Sequence, residues 1–488
     1  MGSSHSQGLS AGELLVGWSE QSITPEKPVK LQGQFHERVS EYVQSEIVVT
    51  VLALETRDAC GTPIDQLMIG ACDLCSIPGS LLLDVREKLS ARLDDFCVDK
   101  LVTNATHTHT APIKTKEEAA VGSYIYERVP AEMRPHRKPE NPEIMQPDEY
   151  SAFLSERLCE AFTAAWHSRQ PGFVNWQLAQ AVVGHSRRVV YDDASAQMYG
   201  TSDTFNFECL EGPVDHGIEL LFFWSESDLS GVAVNVACPS QVVESHNFIS
   251  ADYWGEVRKQ LRDRFGDQVF TLPLCGAAGD QSPRDMIRRG RGEPSMHHIE
   301  GAVELATRIT NAVTEKYQAA LQEKQAQVEL VHRVLNVDLP IRTVSRQENE
   351  SAWAEFDAIL ATKQPGEKLD TSDIVRLFSP AGIMSRYEFQ QETSFYSPEI
   401  HAIRLGQVGI VTNPFELFTE YGLKIKARSR ALQTFIVQLA CDSGGYLPTK
   451  RAVNGGGYSA IVASGRVGPE GGRVLVEQTV RVINELFD

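Results

Sequence analysis

The run Lys100-Leu-Val-Thr-Asn104-Ala-Thr-His107-Thr-His109-Thr-Ala-Pro112 begins as a short apolar strand and ends in two histidines separated by one threonine. In extended backbone, side chains two apart share a face, so His107 and His109 are expected to project together if the strand persists. Two imidazoles on one face at a strand end suit a metal ion or an acid/base pair. Taken alone, His-x-His leaves a hydrogen-bonded core or surface pair equally open.

The same arrangement recurs along the chain. Gly231 to Ala237 reads as a buried strand stopped by Cys238-Pro239, because proline cannot continue a central ladder. Phe270-Thr-Leu-Pro-Leu runs into Gly276-Ala-Ala-Gly279-Asp280, Val408 to Val411 into Thr412-Asn-Pro414, and Phe435 to Leu439 into Cys441-Asp-Ser-Gly-Gly. Amphipathic helices are expected between such strands, at Leu82 to Leu93, Tyr150 to Trp166 and Val474 to Phe487. This alternation predicts an α/β layered domain with a large mixed sheet, its ligands bound at the carboxyl ends of the strands. Lys114 to Pro147, rich in Glu, Pro, Arg and Lys, reads as a surface insertion over the mouth of such a site. Glu416, followed by Leu417, Phe418, Tyr421 and Leu423, reads as the start of a helix, where the dipole stabilises a carboxylate whether or not it binds metal. The glycine-rich runs Asn454 to Tyr458 and Gly468 to Gly472 fit neither a phosphate loop nor a dinucleotide fingerprint. No linker divides the chain, so residues 14–488 are expected to form one catalytic domain after a tail at 1–13.

Composition narrows the functional classes. With 65 acidic and 46 basic residues among 488, the net charge is −19, which repels phosphate backbones and anionic membranes. Neither a secretory leader nor an apolar run of the ~18–20 residues needed to span a bilayer is visible, so a soluble cytoplasmic protein is expected, without integral membrane association. Homo-oligomers are compatible with this composition. Nine cysteines form an odd, dilute set unlike a disulfide framework. Cys72 and Cys75 make an isolated CxxC, best read as two core thiols, and Asp73 between them as an ordinary loop acid.

The string Asn104-Ala-Thr-His-Thr-His-Thr-Ala-Pro112 resembles the Ala-Thr-His-Thr-His-Ser-Gly-Pro signature of the neutral ceramidases, zinc-dependent amidases that cleave the amide of ceramide. Further landmarks follow in order. Gly279-Asp280-Gln281-Ser282-Pro283-Arg284 is similar to that family's Gly-Asp-Val-Ser-Pro-Asn turn. Asn413-Pro-Phe-Glu416-Leu-Phe-Thr419 resembles its Pro-Gly-Glu-Phe-Thr, and Gly445-Tyr446-Leu-Pro-Thr449 its His-Tyr-Ile-Thr-Thr. Weaker marks at Gly17 to Thr24, Ser186-Arg187 and Ser250-Ala-Asp252 extend the likeness from about residue 14 to the end.

The resemblance implies a Zn²⁺ site held by His107, Glu416 and Tyr446. The family's second histidine, in a Val-His-Pro context, is replaced at Ala237-Cys238-Pro239, so Cys238 is the implied ligand, with His246 as its substitute. Zn²⁺ with an open position makes hydroxide available near neutral pH. His109 is then the candidate for proton transfer or oxyanion stabilisation, Ser282 offers a turn facing the site, and Asp280 is placed to orient a ligand histidine. Arg187 matches a position that binds polar substrate groups, with Arg188 as its partner in substrate binding or else a surface charge. The implied activity is metal-dependent cleavage of an amide-type bond. The acidic charge, the departures Cys238, Leu417 and Arg284, and the absence of the C-terminal β-sandwich common in ceramidases point away from ceramide, toward a small polar or sugar-conjugated substrate. A carbohydrate lyase or glycosidase on the same fold, and a binding protein that has lost its metal, are the competing readings.

Overall fold

In the computed structural model, which describes residues 11–115, 123–134, 141–226, 228–364 and 366–488, the strands Gly12–Ser22, Val48–Arg57 and Pro63–Cys72 pair antiparallel. Leu101–Ala105 joins Pro63–Cys72 in parallel. Nearly every residue of Val48–Arg57 is buried, as expected of a strand covered on both faces. A second set, Gln170–Gln180, Gly217–Ser225, Asp228–Val236 and Phe270–Cys275, is antiparallel except for its final parallel pair.

The two sets are joined at only two register pairs, Leu15 with Pro171 and Val16 with Gln170. So narrow a seam lets the sheet fold back on itself, and its far edges meet where Asn104 Nδ2 donates to the Pro273 carbonyl at 3.2 Å. Leu221, Phe223, Leu272 and Leu274 consequently share one core with Leu14, Val51, Met68 and Val102. Helices Gly79–Ser90 and Pro147–His167 cover the first set, while Tyr253–Phe265 and His298–Gln322 cover the second.

A further sheet of Leu330–Asn336, Glu399–Leu405, Val408–Thr412 and Gln433–Val437 stands where the edges meet. The chain just after its last strand bonds to both edges: Gln438 N donates to Cys275 O at 2.9 Å, and Ala105 N to Leu439 O at 3.2 Å. Helices Thr419–Arg428 and Pro469–Glu485 pack on this sheet. The layered α/β architecture with a large mixed sheet is therefore the one expected.

Two features differ from expectation. Helices Arg346–Leu360 and Thr371–Phe389 form a satellite body around Phe356, Leu377 and Met384, and Ser123–Arg128 packs into it. The stretch expected as a surface insertion thus contributes to an apolar cluster separate from those of the sheets, and Lys114 at its start is buried against Gln32 Oε1. Residues 116–122 and 135–140 of that stretch, and 1–10 of the expected tail, lie outside the described residues. Among the described residues, no helix is long and apolar enough to cross a membrane.

Candidate active site

The strand expected to carry both histidines stops at Ala105. His107 lies beyond it with φ +67°, a left-handed conformation that costs a non-glycine residue energy and is tolerated where surrounding bonds enforce it. Two bonds do so here: Thr106 N donates to Cys72 O and His107 N to Leu74 O, both at 2.9 Å. The same-face alternation is lost at this turn. The rings nevertheless meet, with centroids 5.0 Å apart at 73°.

The orientation of His107 is set by its backbone neighbour. Its Nδ1 lies 2.6 Å from the Cys75 carbonyl, which can only accept, so in neutral His107 the proton sits on Nδ1 and Nε2 presents a lone pair. Nε2 stands 3.3 Å from Glu416 Oε2. Glu416 does not begin a helix as its sequence suggested; it sits in the short strand Phe415–Leu417, and the helix starts at Thr419. The reason is a parallel pairing with Gly445–Leu447 that places Glu416 directly in register with Tyr446. Gly279 makes this possible from behind, because a Cβ there would lie 2.2 Å from the Glu416 carbonyl oxygen.

Arg187 lies beside this group, with only 2 % of its side chain exposed. Its Nη2 donates to Tyr446 OH at 3.2 Å and Gly279 O at 2.9 Å, and it lies 3.7 Å from Glu416 Oε2. Its Nη1 donates to Gln241 Oε1 at 3.1 Å and Tyr199 OH at 3.3 Å. Since Arg187 can only donate, the Gln241 amide nitrogen faces the other way and donates to His109 Nε2 at 2.9 Å. Neutral His109 then carries its proton on Nδ1, 3.4 Å from Glu244 Oε2. Gln241 and Glu244 were not singled out in the sequence; the Cys238-Pro239 strand end, a few residues upstream, was the available signal.

Charge is concentrated at this point. Burial disfavours the His107 imidazolium, yet Cys75 and Glu416 outweigh it and hold the group well above its ordinary pKa. Burial would likewise raise the Glu416 carboxyl, but His107 and then Arg187 keep it low. Burial, followed by the Glu416 charge, pushes the Tyr446 phenol well up. Cys75 is no inert core thiol: against its burial, His107 and His109 bring it down to about 6. Cys75, His107 and His109 each offer a ligand atom, all within 4.8 Å of one another.

Other expected site residues are placed elsewhere. Cys238 turns its thiol to the Val183 and Pro239 carbonyls at 3.7 and 3.5 Å and joins the core beneath the second strand set, where burial drives its pKa well up. It belongs to no candidate metal group among the described residues. His246 stacks on Phe248 and faces His298 at 3.4 Å. Arg188 is a buried staple, paired with Glu211 at 2.5 Å and donating to the Ala452 and Gly456 carbonyls. Asp280 orients no histidine; its Oδ1 accepts from Thr419 N and Oγ1 at 2.8 and 2.7 Å, tying the Gly279 turn to the helix start. Ser282 Oγ accepts from Tyr199 OH at 3.2 Å and so touches the Arg187 network at its margin. Asp73 is fully buried and held by Arg258 at 2.7 and 3.0 Å. Cys72 is the core thiol expected.

No family model and no curated protein matches the chain by sequence. Its structure is similar to neutral ceramidase from Pseudomonas aeruginosa, with a TM-score of 0.67 at 15% identity over 97% of this chain and 74% of that one. A ceramidase complexed with C2 gives 0.66 at 15% identity over 98% and 75%. The chain has the fold of the neutral ceramidases.

Proposed function

We propose that this protein is a metal-dependent hydrolase that cleaves an amide-type bond in a small polar or sugar-conjugated substrate. The observation that carries the reading is His107: its Nδ1 is committed to the Cys75 carbonyl and its Nε2 is aimed at Glu416, which lies in register with Tyr446. Fixing one ring nitrogen on a backbone carbonyl is how a metal-ligating histidine is oriented. His107, Glu416 and Tyr446 would hold the ion. Cys75, whose carbonyl fixes His107 Nδ1 and whose thiol lies 3.8 Å from that same nitrogen, would support this histidine rather than bind the ion, and the Cys238 thiol is turned to the Val183 carbonyl. Imidazole, carboxylate and phenol donors with one position left open fit Zn²⁺. Bound zinc supplies hydroxide at neutral pH and polarises a carbonyl.

The remaining residues work around that ion. Arg187 holds the Tyr446 hydroxyl in place and offsets the Glu416 charge. His109, between Gln241 and Glu244, would have to release the bond it accepts from Gln241 before Nε2 could take a proton and return it to a leaving amine, with Glu244 stabilising the imidazolium. At the margin, Tyr458 is partly exposed and packs edge-on against Tyr446 and Phe35, giving a substrate an apolar wall.

The test is turnover of a panel of N-acyl amides, glycosides and uronides. Amide cleavage that is lost in His107→Ala and on chelation supports the reading. Turnover confined to glycosides or uronides, or amide cleavage indifferent to both perturbations, overturns it.

A further inference from the structure

A second group of metal-ligating side chains lies outside the site described above, where the further sheet meets the strand that leads to His107. Glu399 and His401 are two apart on the strand Glu399–Leu405 and share a face. Cys441 enters from the loop after Gln433–Val437 with φ +64°, its N–H donating to the Thr103 carbonyl at 2.9 Å. His401 is fully buried and Cys441 nearly so. His401 Nε2 stands 2.9 Å from Glu399 Oε1 and 3.4 Å from Cys441 Sγ, and the three ligand atoms all lie within 4.8 Å of one another.

Proton counting shows what this cluster lacks. His332 Nδ1 lies 3.1 Å from the Gln66 carbonyl, which only accepts, so the His332 proton is on Nδ1. Its Nε2 is then an acceptor in the neutral ring, and His401 Nδ1, 2.8 Å away, must donate to it. His401 Nε2 is left with a lone pair directed at a carboxylate oxygen and a sulfur. One proton, on the Cys441 thiol or on His401, or a metal ion in its place, is what joins this lone pair to the sulfur and the carboxylate. A carbonyl–histidine–histidine relay fixes the tautomer of His401 in the way that outer hydrogen bonds orient metal ligands.

We propose that Glu399, His401 and Cys441 form a second metal site for a borderline divalent cation, Zn²⁺ being the best match to one nitrogen, one sulfur and one oxygen donor. Zinc bonds of ~2.0–2.3 Å in tetrahedral array separate such donors by roughly 3.3–3.6 Å. The nitrogen–sulfur distance already lies in that range. The nitrogen–oxygen distance requires Glu399, the most exposed of the three, to draw back by about half an ångström. Arg86 grips both Glu399 oxygens at 3.0 and 2.7 Å and fixes the carboxylate at the start of its strand. The site would pin the loop Leu439–Cys441, which is bonded to both Leu101–Ala105 and Asn413–Phe415 and so to the segments that deliver His107 and Glu416. Its role would be structural, and it does not depend on the reaction assigned above.

The experiment measures metal per chain by plasma mass spectrometry, and the spectrum of the cobalt-substituted protein, for the full-length wild type, His107→Ala and Cys441→Ser. Cys441→Ser is expected to hold one equivalent less than wild type while His107→Ala retains the second equivalent and a thiolate-to-cobalt charge-transfer band. Should Cys441→Ser fold poorly, zinc-reversible protection of Cys441 against alkylation in the wild-type protein gives the same information. Equal metal content in wild type and Cys441→Ser, or alkylation of Cys441 unaffected by zinc and by chelator, would overturn the proposal and leave a proton on Cys441 or His401 in place of the ion.

Discussion

Replacing Gly279 with alanine is expected to damage the proposed metal site without touching any of its proposed ligands. A Cβ at this position would stand 2.2 Å from the Glu416 carbonyl oxygen, 2.7 Å from its carbonyl carbon and 3.1 Å from that of Leu417. Cβ contacts do not fall below 3.0 Å, so the backbone must give by at least 0.8 Å. The turn cannot easily retreat, because Asp280 O accepts from Arg187 N at 3.0 Å and Asp280 Oδ1 is held by Thr419. The strand Phe415–Leu417 must therefore move, carrying Glu416 away from His107 and out of register with Tyr446. Overpacking of this kind costs about 1–3 kcal/mol of stability. Displacing a ligand through its support weakens metal binding by roughly 10–100-fold. The assay is thermal unfolding with and without zinc, together with zinc titration against a competing chelator. If Gly279→Ala melts within about 1 °C of wild type and binds zinc within about twofold, the claim that this close approach builds the site is refuted.

Other consequences are tested the same way. Cys75→Ser is expected to weaken metal binding by about tenfold or more, whereas Cys238→Ser, facing the Val183 carbonyl, leaves it within about twofold; zinc titration reports both. Burial opposes the His109 imidazolium, but Cys75 and then Glu244 hold its pKa above the ordinary value, so Glu244→Gln should move the limb of the pH–rate profile belonging to His109 to lower pH. In protein stripped of metal, burial opposes the His401 imidazolium, but Cys441 and Glu399 raise its pKa to about 9. Its stabilisation is then complete below the ordinary value of 6.5 and lost as pH rises through about 9. The Glu399 carboxyl, lowered to about 2 by His401 and Arg86 against burial, stabilises above its ordinary 4.5 and loses that contribution as pH falls through about 2. Chemical denaturation across pH should show both limbs, and Glu399→Gln should remove the acid one.

The strand ends were legible because each is a short apolar run cut off by proline, glycine or a polar cluster, and the candidate cluster gathers just beyond the carboxyl ends of such strands. The meeting of His107 with Glu416 and Tyr446 followed from ordered motifs, whereas Arg187, expected to bind polar substrate groups, spends its donors on Tyr199, Gln241, Gly279 and Tyr446. Long-range geometry was not legible. The two-pair seam at Leu15 and Val16 that folds the sheet back leaves no local signal. Glu416 was misread because Leu417, Phe418 and Tyr421 mimic a helical stripe, while the partner that makes a strand of it lies thirty residues away at Tyr446. Cys75 reads as a buried thiol until the left-handed turn at His107 brings two imidazoles beside it. Cys238 occupies the expected chain position, but its side chain turns into an apolar core rather than toward His107.

The central claim is that His107 and Glu416 hold a metal ion. Its most direct test is the metal content of the purified full-length protein compared with His107→Ala and Glu416→Gln, read alongside anomalous scattering from a zinc-loaded crystal. The account predicts an ion on His107 Nε2, Glu416 and Tyr446, and the loss of one equivalent in either variant. No anomalous peak at His107, with metal content unchanged by both substitutions, would contradict it.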